Sequence, residues 1–371
     1  MRKVDTLTIR GFKSLRNIVD FPLRELNVLI GANGTGKSNL VSYFRMLGEL
    51  VEGRLQLWTR NQGSADRILS FGVKSTLQLE SSIDFGRNGY RFVLEPTVEG
   101  GFSFASESLF YRGDYRNSNP FLGSGQAESR LKESVLSIGN ESIHGYCYQS
   151  ISGWKVYHFH DTSTTAGVKR PGAVHDNQSL RTDASNLAAF LYRLRTEYPE
   201  SYAQVRKTVQ LAIPFFDDFD LRPQRLESGE DQIALLWRQK DSDYPFWPSQ
   251  LSDGSLRFIC LTAALLQPDP PSTIIIDEPE LGLHPFAITL LGSLLRSASK
   301  RMQVIVSTQS VPLVNEFAPE DLVIVEREND ATVFNRLEGT ELDAWLEKYS
   351  LGELWEKNVL GGRPGQWFGC M

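Results

Sequence analysis

Cysteine is scarce: the 371 residues hold three, Cys147, Cys260 and Cys370. None stands at zinc-ligand spacing, and an odd number is a poor disulfide framework. Reduced thiols suit that pattern, so the expected location is cytoplasmic. No apolar run is long enough to span a bilayer, and no membrane contact is expected. The opening residues Met1-Arg2-Lys3-Val4-Asp5 lack the apolar stretch of a secretion signal. Basic charge is not in excess. The net charge is −6, so any nucleic-acid contact has to use a local basic patch. No internal repeat and no heptad run appears, which excludes a long coiled coil. What is present is an ordinary globular mixture, 41% hydrophobic and 23% charged, with enough apolar material for a sizeable core.

Periodicity gives a coarse layout. Thr6 to Ile9 alternates as a strand, Gly11-Phe12-Lys13-Ser14 is a turn, and Leu26 to Ile30 is a buried strand. Leu40, Val41, Phe44 and Leu47 follow at helical spacing. Residues 70 to 112 read as several strands, among them Ser75 to Leu79 and Tyr90 to Leu94. Residues 113 to 127, rich in Asn, Ser and Gly, read as a loop. Trp154 to His160 reads as a strand; Asn186 to Leu194 and Tyr202 to Ile213 read as helices. From Ser255 the pattern becomes α/β. Helices at Ser255 to Gln267 and Phe286 to Ser297 alternate with apolar strands at Thr273 to Ile276, Val304 to Ser307 and Leu322 to Val325. Such strands belong to a parallel sheet covered on both faces.

The segment Gly31-Ala32-Asn33-Gly34-Thr35-Gly36-Lys37-Ser38 fits G-x-x-x-x-G-K-[ST] at every fixed position, between a strand and a helix. Gly34 and Gly36 allow the backbone to turn its N–H groups around phosphates. Lys37 would reach the β- and γ-phosphates, Ser38 would ligate Mg²⁺, and the helix N-terminus adds its dipole. Asn33, Gly34, Thr35, Gly36, Lys37, Ser38 and Asn39 are therefore the candidate ATP-binding residues. A second motif, Ile274-Ile275-Ile276-Asp277-Glu278, is an apolar strand ending in two carboxylates. Asp277 would hold Mg²⁺, with Glu278 as general base on the attacking water. Lys37 and Asp277 stand 240 residues apart, so a large insertion must separate the halves of the site.

Further segments carry a family resemblance. Leu7-Thr8-Ile9-Arg10-Gly11-Phe12-Lys13-Ser14-Leu15 resembles the opening strand and phenylalanine-lysine turn of the ABC-type ATPases of the SMC, RecF and overcoming-lysogenization-defect group. Leu251-Ser252-Asp253-Gly254-Ser255 is similar to their signature, with Asp253 where a glycine is usual. Pro279-Glu280-Leu281-Gly282-Leu283-His284-Pro285 resembles the loop that links two ATP sites. In Val306-Ser307-Thr308-Gln309-Ser310, Gln309 stands at the switch position, usually a histidine. The resemblance covers roughly residues 1–95 and 250–326. It implies an ATP-dependent homodimer in which Ser252 and Gly254 cap the γ-phosphate held by another subunit. Gln309, with no titratable proton, would sense nucleotide state. Gln62 is a candidate for the family's Q-loop glutamine; a surface loop is the preferred reading.

The expected architecture is α/β, a P-loop NTPase with a mixed sheet core, an antiparallel β subdomain and an inserted α/β lobe. Its parts are residues 1–112 and 250–338 as the ATPase halves, 113–249 as the lobe and 339–371 as a tail. In Tyr157-His158-Phe159-His160-Asp161, His158 and His160 share a strand face and with Asp161 suit a divalent metal; satisfied polar groups at a sheet end are the preferred reading. Arg10, Lys13, Arg16, Lys169, Arg170 and Arg181 are candidate DNA contacts, with scattered surface charge preferred. Trp345, Trp355, Trp367 and Phe368 either dock a partner or seal the core. The chain after Val306 is too short for a toprim nuclease domain, so such an effector, if used, is a separate partner. The leading expectation is an ATPase of antiphage defence paired with a toprim-type nuclease. The alternatives are a RecF-like DNA-repair ATPase and a non-hydrolysing nucleotide-gated scaffold.

Overall fold

The computed structural model describes residues 3–114, 117–337 and 343–361. The chain starts with β1 (Thr6–Phe12), β2 (Leu15–Pro22) and β3 (Leu26–Ile30), then helices α1 (Lys37–Val51), α2 (Leu55–Asn61) and α3 (Ala65–Ile68). Strands β4 (Leu79–Phe85), β5 (Asn88–Pro96), β6 (Phe102–Arg112), β7 (Asn117–Ser118) and β8 (Phe121–Gly123) precede α4 (Leu131–Ile138) and α5 (Ile143–Ser152). The middle holds β9 (Trp154–Tyr157), β10 (Gly172–Ala173), α6 (Leu187–Glu197), α7 (Pro199–Ala212), β11 (Phe216–Asp220), β12 (Gln224–Arg225), β13 (Asp231–Ile233) and β14 (Leu236–Gln239). The last part runs α8 (Asp253–Leu265), β15 (Thr273–Asp277), α9 (Pro285–Ser299), β16 (Gln303–Thr308), α10 (Val311–Val314), β17 (Leu322–Glu328), β18 (Ala331–Arg336), α11 (Asp343–Leu346) and α12 (Leu351–Glu356).

The central sheet has the order β18-β17-β3-β16-β15-β9. It is parallel from β17 to β9, and β18 pairs antiparallel with β17. Its strands are continuous apolar runs because both faces are buried. Alternate residues serve different layers. Leu29, Ile275, Ile305 and Val323 face α1 and the antiparallel sheet. Val28, Ile274, Ile276, Val304 and Val306 face the cluster that holds α6, α8 and α9. The antiparallel sheet, β2-β1-β4-β5-β6-β7 with β8 beside β6, turns Leu7, Ile9, Ile83 and Phe92 onto α1. Helix α1 is thus clamped between two sheets, with Tyr43, Met46, Leu47 and Leu50 inaccessible to solvent. That clamp fixes the end from which the phosphate loop emerges.

Several expectations need correction. Of Ser75 to Leu79 only Leu79 is strand; Ser75 and Thr76 turn back on the Gly72 carbonyl at 3.1 and 3.0 Å, and the Thr76 hydroxyl bonds Ser70 O. An alternating polar–apolar stretch loses here to a local turn. The loop expected at 113 to 127 carries β7 and β8, which extend the antiparallel sheet along β6. The strand at Trp154 stops at Tyr157, and the following backbone is bonded to Thr182 O through His158 N. Gln62 lies at the C-cap of α2, in the turn that leads to α3, in line with the loop reading. Trp355 belongs to the core, while Trp345 is exposed. The expected 338/339 boundary, Trp367, Phe368 and Cys370 lie outside the described residues.

Candidate functional site

Strand β3 delivers Gly31 to the sheet edge, and α1 begins at Lys37. Gly34 and Gly36 adopt φ of 81° and 111°, a region that favours glycine. At Gly36 a side chain would also collide with Thr332 Oγ1 and Ser14 Oγ. Asn33, Gly34, Gly36, Lys37, Ser38, Asn39 and Glu278 line one cavity of about 150 Å³. Thr35 is buried beneath it, and its hydroxyl donates to Ala32 O at 3.0 Å. Lys37 is 5% exposed, and its ammonium donates to Gly31 O at 2.6 Å and Ala32 O at 3.0 Å. Burial pulls its pKa below the ordinary lysine value, opposed by the charges of Glu278, Asp277 and Glu280.

The second motif reaches the loop despite the 240-residue separation, because β15 lies beside β16, which lies beside β3. Ser38 Oγ stands 3.5 Å from Asp277 Oδ1. The parallel register sets Asp277 opposite Ser307, whose hydroxyl donates to the same carboxylate oxygen. Two hard oxygen donors at that separation suit Mg²⁺. Glu278 breaks the strand with φ of 44°. Its N–H donates to Ser307 O at 2.9 Å, and its Oε1 accepts from Gln309 Nε2 at 3.0 Å. Gln309, the candidate switch residue, therefore meets the candidate general base directly. Sequence reasoning missed Ser307, because strand register is not legible in a single chain.

Glu280 was also missed as a structural element of the site. It is 6% exposed, and its Oε1 accepts from Thr308 Oγ1 at 2.5 Å and from Gln309 N at 3.4 Å. Burial raises its pKa above the ordinary glutamate value. It ties the loop after β15 to the end of β16.

Ser252 and Gly254 lie apart from this cavity. Ser252 is exposed and caps α8, accepting from Ser255 N at 3.1 Å. Gly254 is buried against the Gly282 carbonyl, where a Cβ would collide. Arg257 holds this junction by donating to Leu281 O and, at 3.0 Å, to Phe159 O. Asp253 pairs with Lys169 at 3.4 Å.

His160 Nε2 lies 3.0 Å from the Asp277 carbonyl oxygen, with the His158 ring 4.4 Å from its own. Among the described residues, no group of three or more His, Cys, Asp or Glu side chains is placed to hold a metal. Gln62 accepts from Lys13 Nζ at 3.5 Å and does not line the cavity. Of the candidate DNA contacts, Arg10 pairs with Glu80, Arg16 lies over the Phe71 ring and Arg181 pairs with Asp176. Among the described residues, no helix is long and apolar enough to cross a membrane.

A phosphate loop at the end of a central parallel strand, two carboxylates two strands away and a capped signature helix define an ATPase core of the ABC and SMC type. The chain belongs to the AAA_21 family, described as AAA domain, putative AbiEii toxin, Type IV TA system, whose profile matches residues 26–315. No curated protein matches the sequence. Its fold is similar to an SMC head bound to the C-terminal winged-helix domain of ScpA (TM-score 0.56, 14% identity, 93% of this chain and 99% of that one). It is equally similar to an SMC head with an extended coiled coil, bound to the C-terminal domain of ScpA derived from Pyrococcus furiosus (TM-score 0.56, 14% identity, 94% and 99%).

Proposed function

We propose that the chain binds ATP with Mg²⁺ on Gly31 to Ser38 and hydrolyses it, two copies closing head to tail around the nucleotide. The observation that carries this reading is the cavity that joins Lys37 and Ser38 to Glu278. Backbone N–H groups of Asn33 to Asn39 and the Lys37 ammonium would cradle the phosphates. Ser38 and Asp277 would hold Mg²⁺, which supplies charge neutralisation on the phosphate oxygens. Glu278 would take a proton from the attacking water, and Gln309 would release Glu278 when it turns toward the γ-phosphate. Ser252 and Gly254 lie outside their own chain's cavity, which supports a role toward the phosphate of a second chain.

In this reading residues 1–112 and 250–338 are the working halves, 113–249 a compact lobe and 339–371 a tail. The family's toxin–antitoxin description supports a system in which the chain works with a separately encoded partner. A toprim-type nuclease in antiphage defence is the effector we favour. SMC heads seen with ScpA support partner binding in general. A second reading, a nucleotide-gated scaffold, is favoured by the Gln309 amide bonded to the Glu278 carboxylate. ATP turnover separates them. Lys37→Ala should abolish binding; Glu278→Gln should keep binding and lower kcat at least 100-fold. Wild-type turnover in Glu278→Gln would reject hydrolysis by this site. DNA-stimulated turnover without a partner would favour the repair-type alternative.

A further inference from the structure

The phosphate loop is gripped from behind by residues on both sides of the matched family segment. Asn39 Nδ2 donates to Ser14 Oγ at 2.7 Å. Ser14 Oγ and Thr332 Oγ1 are 2.7 Å apart. Thr332 Oγ1 donates to the carbonyl of Thr35 at 2.7 Å. A hydroxyl has one proton, and that of Thr332 is committed to Thr35, so Ser14 donates to Thr332. The result is a one-way chain, Asn39 to Ser14 to Thr332 to Thr35. It starts on the first turn of α1 and ends on the loop's own backbone. Thr332 is 2% exposed, and its N–H donates to Ser14 O at 2.8 Å.

The same hairpin touches the loop elsewhere. The Val325 carbonyl on β17 packs so closely on Gly31 that no Cβ fits there. Arg327 lies 3.5 Å from Gly34 O. Asn329 and Asp330, with φ of 47° and 63°, make the tight turn that brings β18 back and places Thr332 under Gly36. Neither Ser14 nor Thr332 lines the cavity.

We infer that Ser14 and Thr332 are positioning residues for ATP binding: through the Thr35 carbonyl they hold the loop in its phosphate-cradling shape, and the β17–β18 hairpin is thereby part of the nucleotide site. This deepens the ATP-binding reading and rests on it. The loop amides must all point one way to receive an anion. A lost anchor at Thr35 lets the loop relax before nucleotide arrives, and the cost falls on binding rather than on the chemical step.

The test uses Thr332→Val, which keeps shape and removes the hydroxyl, Thr332→Ser, which restores it, and Ser14→Ala, which breaks the chain one link earlier. In the nucleotide-free protein, hydrogen–deuterium exchange should quicken in residues 31–39 for Thr332→Val and for Ser14→Ala, and return to wild type for Thr332→Ser. The KM for ATP should rise about tenfold in the first two, with kcat at saturating ATP within about twofold of wild type. Unchanged loop exchange would overturn the inference, whatever the ATP result. So would a fall in kcat and thermal midpoint that Thr332→Ser does not rescue. The exchange readout needs no ATP, so a protein that failed to bind ATP would sink the proposed function without deciding this point.

Discussion

Glu278 shows how much of the site rests on single side chains. Its left-handed backbone and its bonds to Ser307 O and Gln309 Nε2 turn the end of an apolar strand into a held carboxylate. Alone, a strand ending in two acids is common, but the same chain carries a complete phosphate-loop motif, so the sequence makes Asp277 and Glu278 legible. It hides Ser307, Ser14 and Thr332, which are small hydroxyl residues with no pattern of their own. Their roles come from strand register and from the β17–β18 hairpin, which brings distant parts of the chain together. The cysteines give a check at the same scale. Burial pushes the thiols of Cys147 and Cys260 up to about 12. Only the thiolate reacts. At neutral pH, neither should be alkylated by iodoacetamide in the folded protein, and both should be labelled once it is unfolded. Mass spectrometry of the digested protein reads this directly.

Among the elements, helices α6 to α9 were legible from their apolar periodicity, and strands β3, β15 and β16 from short continuous apolar runs. The small strands were not. Strands β7 and β8 come from a Ser-, Asn- and Gly-rich stretch whose composition says loop; they form because β6 offers them an open edge. Helix α8 is the element that bears most on function. Its cap Ser252 has two duties, one to its own helix and one proposed toward a second chain. Ser252→Asp separates them. Aspartate caps helices as well as serine, whereas Ser252→Ala should cost about 1 kcal/mol. The aspartate variant should therefore keep the thermal midpoint of wild type and lose ATP-driven pairing, because its carboxylate would face a phosphate. If it pairs as wild type does, α8 does not meet nucleotide across an interface.

At the scale of the whole molecule, the long gap between Lys37 and Asp277 in sequence disappears in the sheet order, where β16 alone separates their strands. The α/β class and the covered parallel sheet follow from apolar strands flanked by amphipathic helices. The clamp of α1 between two sheets does not, since it depends on which face of each strand meets which layer. Residues 113–249 carry two small sheets, β10-β13-β12 and β11-β14, and also lend β9 to the central sheet. In the proposed reading the chain is a nucleotide switch. A switch of this kind works by population: ATP favours the paired state only through contacts made in that state. The central claim, that a second chain completes the site, is tested most directly by the solution mass of Glu278→Gln, measured by light scattering with and without ATP and Mg²⁺. The account predicts a single chain without nucleotide and twice that mass with it. A mass that stays at one chain with ATP demonstrably bound would contradict it.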